Sequence, residues 1–236
     1  YSTSVSIYMA DRHILAIDNS MDFLNIALLG PRGIIDDKRI EESRSPSQML
    51  PEVVESILAA GGISLTDISE FRVTLGPGSF TGIRVGLSFC KGIRAATGAP
   101  IRGIPTLDAL AFALIENQGS YLCPLIDAKK SEVFLALYHA TGGKLTRQTG
   151  YMAVKPAEIP AIIKTPCICF GTGLRITEKH LTPLEGVTII RDQLDHIRAA
   201  SLVDERIDAV LDERLPLYPI YGRRSEAEIK FNVTID

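Results

Sequence analysis

Apolar positions in this chain come in short runs separated by turn-forming residues, and the runs follow two periods. Ile14–Asp18 ("ILAID") is a brief apolar run fit for a buried strand. Phe23–Leu29 ("FLNIALL") is a second, and Ile34-Ile35 opens a third after the turn Gly30-Pro31-Arg32-Gly33. Three strands joined by tight turns predict an antiparallel meander. The period then changes. Met49, Leu50, Val53, Val54, Ile57 and Leu58 recur at helical spacing, so a helix is expected over 47–60. Ser45 or Ser47 can cap it, Pro51 is tolerated near its start, and Gly61-Gly62 ends it. Glu70–Leu75 reads as a strand. It runs through Gly76-Pro77-Gly78 into Ser79, which caps a helix over 80–97.

Beyond residue 100 the pattern predicts a helix over Thr106–Glu116 with Thr106 as its cap, and a shorter one over Pro156–Lys164. A strand at Cys167–Phe170 leads into Gly171-Thr172-Gly173. A last helix spans Asp195–Asp212, and Pro216–Tyr221 is extended. Leu15–Ile35 can be laid over Cys123–Leu145. Each has an apolar strand ending in Ile-Asp, a polar turn, a second strand, a glycine turn and a third strand, so that Asp18 answers to Asp127. Two unrelated meanders would also fit. Two related lobes would be α/β, of the ribonuclease-H-like type of the actin/Hsp70/sugar-kinase superfold, with mixed sheets flanked by helices. The expected division is 9–106 plus 195–222 for the first lobe and 107–194 for the second, with 1–8 and 225–236 as loose termini.

The helix at 80–97 carries the main functional question. Gly82, Gly86 and Cys90 are spaced by four and make one stripe of small residues. Each glycine inside a helix costs about 0.5–1 kcal/mol relative to alanine, so the stripe needs a close packing partner. Ile83, Val85, Leu87, Phe89 and Ile93 make the rest of the surface apolar, so the helix is either fully buried or shared with another chain. The second alternative sets Met49, Val53 and Ile57 beside Gly82, Ile83, Gly86, Leu87 and Cys90 as half of a four-helix bundle. A homodimer could use the same faces when the true partner is absent. The glycine loop fits neither GxxxxGK[ST] nor GxGxxG. A vestigial nucleotide or anion site remains open, with Asp18, Ser79, Thr81, Arg84 and Asp127 as its residues.

Composition narrows the function classes. The 236 residues carry a formal net charge of −3, so no global field recruits nucleic acid. Lys129-Lys130 and Arg223-Arg224 are the basic pairs worth naming. Cys90, Cys123, Cys167 and Cys169 read as buried free thiols. His13, His139, His180 and His196 match no metal-ligand spacing. No apolar run reaches the roughly 18 residues of a membrane helix. Tyr1–Tyr8 lacks a secretory pattern and Met9 looks like a natural start, so a cytoplasmic protein is expected. Asp18 and Asp127 are the candidates for ATP chemistry, but neither is followed by the glycines of a phosphate-binding hairpin. Ser79 has no His–Asp pair, which argues against hydrolase chemistry.

"ILAIDNS", "GPGSFTGIRVGLSFCKGI", "GIPTLDALA", "LIDAKKSEVFLALY" and the closing "PLYPIYGRRSE" (Pro216–Glu226) together resemble the bacterial TsaB (YeaZ) family. The resemblance implies an actin-like two-lobed fold. It also implies a non-catalytic role in making N6-threonylcarbamoyladenosine beside the anticodon of tRNAs that read codons beginning with A. Such proteins dimerise with a metal- and adenylate-binding TsaD-like subunit and help recruit a TsaE-like ATPase. The chain would then have no cofactor of its own, ATP and metal would be handled by partner subunits, and tRNA would be met through the complex. The sequence departs from the family in three places. Ser45 stands where many relatives carry histidine, the His-x-x-x-His pair of the catalytic relative is missing, and Ile220-Tyr221-Gly222-Arg223 loosens the closing motif. The family's peptidase label finds no support in the residues. The alternative is a stand-alone ATP-dependent small-molecule kinase of the same superfold.

Overall fold

The computed structural model describes residues 12–41, 46–191, 195–210 and 215–223. Ser45 and the two termini expected to be loose lie outside these. The chain divides into two compact units. Among the described residues, one takes residues 12–75 with Ser79–Ile104 and Ile197–Tyr218. The other takes Gly76–Gly78, Pro105–His196 and residues 219–223. Four short segments group with the second unit instead of the first: Gly76–Gly78, Pro105-Thr106, Asp195-His196 and Pro219–Gly222.

The first unit is built on β1 (Ile14–Asp18), β2 (Leu24–Gly30), β3 (Gly33–Ile40), β4 (Glu70–Thr74) and β5 (Ile101–Ile104), in the order β3-β2-β1-β4-β5. The first three strands form the expected antiparallel meander, and β1–β4 and β4–β5 are parallel. All five residues of β1 are buried, as a strand covered on both faces requires. Helices α1 (Pro46–Gly61) and α2 (Phe80–Thr97) pack on this sheet and on each other.

Side chains alternate across a strand, so Val73 and Arg72 of β4 serve opposite faces. Val73 meets α2 at Gly86. Arg72, 1% exposed, donates to Glu70 (2.7 Å), the carbonyls of Leu202 (2.9 Å) and Asp204 (3.3 Å), and the Asp208 carboxylate (2.8 Å). This network explains why the expected single helix over Asp195–Asp212 is instead two short ones, α5 (Ala199–Leu202) and α6 (Arg206–Val210). Arg72 takes the carbonyls of Leu202 and Asp204, and the Asp204 carboxylate accepts the Arg206 N–H at 2.9 Å as a fresh start.

The second unit repeats the sheet. Its strands are β6 (Tyr121–Lys129), β7 (Glu132–Leu135), β8 (Tyr138–Thr141), β9 (Lys144–Arg147), β10 (Met152–Val154), β11 (Cys167–Phe170) and β12 (Val187–Ile190). The path β10-β7-β6-β11-β12 has the same sequence of antiparallel and parallel pairings as the first sheet. Both are ribonuclease-H-like, with β6 in the place of β1 and Asp127 in the place of Asp18. The overlay predicted the wrong third strand. Gly142 and Gly143, at φ 61° and 72°, close the β8–β9 hairpin, which pairs with the start of β6. The third position belongs to β10. The apolar run after Asp127 breaks at Ala136-Leu137, where the Leu137 N–H turns aside to Thr149 Oγ1 at 2.9 Å.

Two helices here are shorter than predicted. α3 covers Thr106–Phe112, and the turns after it tighten to i→i−3 hydrogen bonds up to Ile115. Thr106 is inside this helix rather than its cap, and its buried hydroxyl has no hydrogen-bond partner. Pro156–Ala161 is a 3₁₀ segment, since Pro160 denies an α-helix its N–H. After β11, Gly171-Thr172-Gly173 leads into α4 (Leu174–Leu181). No helix among the described residues is long and apolar enough to cross a membrane.

Candidate functional site

Asp18 ends the central strand of the first unit and is fully buried. One carboxylate oxygen accepts the Ser20 N–H (3.0 Å), the Ser20 hydroxyl (2.5 Å) and the Thr74 hydroxyl (2.8 Å), and the other accepts Asn25 Nδ2 (3.0 Å). Burial raises its pKa above the ordinary carboxylate value, and the donors from Ser20, Thr74 and Asn25 pull the other way. Ser20 links Asp18 to the cap of α2, because its carbonyl accepts the Ser79 N–H at 2.7 Å. The Ser79 hydroxyl caps α2 by accepting the Gly82 N–H at 3.2 Å, as the sequence predicted. Thr81 and Arg84 are exposed, and the Arg84 guanidinium lies over the Phe80 ring at 4.9 Å. The Ser79 N–H and hydroxyl are thus both used within the first unit.

The residues expected to make a partner face, Met49, Val53, Ile57, Gly82, Ile83, Gly86, Leu87 and Cys90, are already covered within this chain. All eight are buried. A Cβ on Gly82 would stand 1.9 Å from the Asn19 carbonyl oxygen, and Asn19 Nδ2 donates to the Gly82 carbonyl at 3.1 Å. A Cβ on Gly86 would meet Val73, Asn19 and Ile17 at 3.5–3.9 Å. The small-residue stripe lets α2 sit directly on β1 and β4. Burial also pushes the Cys90 thiol up to about 12. What α2 leaves outside is a different set. Phe80 is 54% exposed, Thr81, Arg84, Ser88, Lys91, Gly92, Arg94, Ala95 and Ala96 are exposed, and Val85, Phe89 and Ile93 are half-buried. Sequence reasoning missed this face, although Ser88, Gly92 and Ala96 repeat the same spacing of four.

In the second unit Asp127 stands near the end of β6. Its N–H donates to Thr172 Oγ1 at 3.1 Å. Its carboxylate accepts the Lys129 N–H (2.8 Å) and pairs with Arg175 (3.0 Å) and Lys129 Nζ (3.6 Å). Partial burial pushes this carboxyl up, but the Lys129 N–H and the two cations outweigh it and hold it below the ordinary value. Gly171, at φ 101°, lies so close to β6 that a Cβ would come within 2.5 Å of the Leu125 carbonyl oxygen.

A second buried carboxylate escaped the sequence reading. Asp108 of α3 accepts from Tyr138 (2.6 Å) and from Tyr151 (2.9 and 3.0 Å), with Arg147 at 3.9 Å. It ties α3 to β8 and to the segment after β9. Cys123, Cys167 and Cys169 sit in the core of the same unit as free thiols. Among the described residues no group of three His, Cys, Asp or Glu side chains could hold a metal ion.

Residues 40–166 match the family described as TsaD, tRNA N6-adenosine threonylcarbamoyltransferase. The chain is 34% identical over 126 residues to the tRNA threonylcarbamoyladenosine biosynthesis protein TsaB of Escherichia coli, covering 53% of this chain and 54% of that protein. It is 32% identical over 132 residues to TsaB of Bacillus subtilis, covering 56% and 57%. The chain thus spans about half the length of the curated relatives it matches. In fold it is similar to YeaZ of Pseudomonas aeruginosa, with a TM-score of 0.70 at 24% identity over 89% of this chain and 99% of that one. A second P. aeruginosa structure, described by its similarity to the peptidase YeaZ, gives a TM-score of 0.74 at 24% identity, covering 90% and 100%. With the family matched over more than half of its residues, its relatives named TsaB and its fold that of YeaZ, the chain belongs to the TsaB (YeaZ) branch of the TsaD/TsaB family.

Proposed function

We propose that this chain is a non-catalytic scaffold subunit in the biosynthesis of tRNA N6-threonylcarbamoyladenosine. It acts in the cytoplasm with a TsaD-like catalytic subunit and a TsaE-like ATPase, and ATP and metal are handled by those partners. The names of its relatives support the pathway. The observation that carries the non-catalytic role is the closure of Asp18. A strand-end carboxylate that positions water or metal for phosphoryl transfer needs free lone pairs. Here one oxygen already accepts three donors from Ser20 and Thr74, and the other, held by Asn25, is buried away from solvent. The catalytic subunit docks on the outer face of α2, around Val85, Ser88, Phe89 and Gly92, where apolar and small side chains reach solvent. The same face supports a homodimer when that subunit is absent.

One observation favours a second reading. The matched family is described as the transferase itself. The two readings separate in one experiment. The chain is co-purified with a TsaD-like subunit, and threonylcarbamoyl transfer to a tRNA transcript is measured for each subunit alone and for both with a TsaE-like ATPase. The scaffold reading expects a stable pair, and activity only when the catalytic subunit is present and raised by this chain. Transfer by this chain alone, or full activity without it, would refute that reading.

A further inference from the structure

Two helices of the first unit pack on each other and carry opposite charge. α1 has Glu52 and Glu55 on its exposed side and no basic residue along Pro46–Gly61. α2 has Arg84, Lys91 and Arg94, all exposed, and no acidic residue along Phe80–Thr97. Among the described residues none of these five side chains has a counter-charge within ion-pair distance. The Arg84 guanidinium lies over the Phe80 ring at 4.9 Å, and the Lys91 ammonium lies over the Tyr218 ring at 5.6 Å. Lys38 of β3 reaches α1 at Ser56 Oγ (3.0 Å), and its charge is balanced by Asp36 at 3.2 Å. The layer thus presents an acidic helix beside a basic one.

The charges stand in rows. Arg84 and Lys91 are two helical turns apart, so they lie on one side of α2 at a separation of about 10.5 Å. Glu52 and Glu55 are three residues apart and are neighbours on one side of α1. Beside these charges the exposed residues are small: Ser56, Ala59 and Ala60 on α1, and Ser88, Gly92, Ala95 and Ala96 on α2. Small side chains let a second helical layer come close, and the long charged ones then reach across from its edges.

We propose that the α1–α2 layer pairs with the same layer of a second copy of this chain, α1 of each copy lying over α2 of the other, with Glu52 and Glu55 facing Arg84 and Lys91. This rests on the reading above that the outer face of α2 is an association surface, and adds the order in which the helices meet. A two-fold axis between stacked layers has two choices. Running across the helices, it lays α1 on α1 and α2 on α2, which sets glutamates against glutamates and cations against cations. Running along them, it lays α1 on α2 twice, and the facing charges are opposite in sign. Like charges brought together across an interface are strongly unfavourable, so only the second order is self-complementary. A second copy is favoured over a purely acidic or purely basic partner, because α1 needs a base and α2 an acid within one layer. This chain supplies both.

The test follows self-association of the whole chain by sedimentation equilibrium over a concentration series. Salt is raised from about 0.1 to about 1 M, which shortens the screening length from about 10 to about 3 Å. The wild-type dimer should weaken as salt rises. Glu52→Lys/Glu55→Lys sets lysines against Arg84 and Lys91, and Arg84→Glu/Lys91→Glu sets glutamates against Glu52 and Glu55. Each should weaken the dimer about tenfold or more at low salt. The chain with all four changes regains opposite signs and keeps the net charge of −3. It should dimerise within about threefold of wild type. All four positions are exposed, so circular dichroism and melting should stay unchanged. Glu52→Gln/Glu55→Gln, which only neutralises, should give a smaller loss and serves if a reversed variant fails to fold.

The proposal is overturned if the chain stays monomeric throughout the series, or if the folded reversed variants dimerise like wild type. It is also overturned if the four-change chain stays as weak as the two-change chains, since the glutamates and cations then face something other than each other. Stacking of like on like is recognised by a dimer that tightens as salt rises and is indifferent to all the reversals, and it too overturns the proposal. Co-elution with a TsaD-like subunit judges the docking reading separately. A chain that pairs with that subunit and never with itself defeats the helix order alone. One that dimerises in this order and never meets the subunit defeats the docking reading alone.

Discussion

At Asp18 a carboxylate is buried with hydroxyl, amide and backbone donors and no cation among its hydrogen-bond partners. Its folded pKa is raised, burial being the larger cause. The folded state therefore holds the proton more tightly than the unfolded chain. Stability from this group is full below the unfolded value near 3.8 and is lost as pH rises through the folded pKa. Asp18→Asn has no proton to lose. In urea unfolding at a series of pH values, the variant should gain on the parent chain as pH rises from acid to neutral. A variant that falls behind instead would show that the four donors favour the ionised form. Arg72 poses the opposite problem, a buried charge fully engaged. Arg72→Met leaves Glu70 and Asp208 without it and frees two carbonyls, so a loss of about 3–5 kcal/mol is expected in the same unfolding experiment. The strand-end position of Asp18 was legible, since an apolar run ended there in a polar turn. The donors were not, because Thr74 and Asn25 reach it only through strand pairing.

At the scale of elements, periodicity identified helices and strands where one face is apolar and the other polar. It gave Phe80–Thr97 to the residue and Pro46–Gly61 to within a residue or so. It failed where a long-range contact intervenes, as between α5 and α6, where Arg72 takes the carbonyls a continuous helix would use. It also could not say what covers an apolar stripe. Gly82, Gly86 and Cys90 demanded a close neighbour, and that neighbour is β1 and β4 of the same unit. Two alanine substitutions on this helix should therefore differ in sign. Gly82→Ala drives a methyl into the Asn19 backbone and should destabilise by about 1–3 kcal/mol or more. Gly92 has nothing within 4 Å of an added Cβ, so Gly92→Ala should stabilise by about 0.5–1 kcal/mol through helix propensity alone. Thermal melting of both variants checks this. Equal and opposite behaviour to that expected would place the stripe on the wrong side of the helix.

For the whole molecule, the internal repeat was legible from two Ile-Asp strand ends, and the structure extends it to the order and sense of five strands in each sheet. The inserted β8–β9 hairpin hid the third strand of the second sheet, because its glycine turn imitates the first. An apolar stripe in a sequence does not say what covers it. An all-round apolar helix satisfies its own sheet first, and a partner can use only what remains. On α2 that remainder includes half-buried Val85, Phe89 and Ile93 beside Ser88, Gly92 and Ala96, with Phe80, Thr81, Arg84, Lys91, Arg94 and Ala95 also exposed. A helix from another chain could approach closely over the small residues and cover the aromatic ones. Phe89→Glu places a charge in that path without entering the core, since Phe89 is only half-buried. An ionised carboxylate left unpaired in a closed interface weakens association strongly. The expected outcome is a chain with unchanged circular dichroism and melting that no longer co-elutes with a TsaD-like subunit in size-exclusion chromatography. Leu87→Glu, aimed at the buried side, should instead unfold the unit before any partner is offered. If Phe89→Glu and Gly92→Leu both fold and pair normally, the partner meets this chain elsewhere, and the outer face of α2 is ordinary surface.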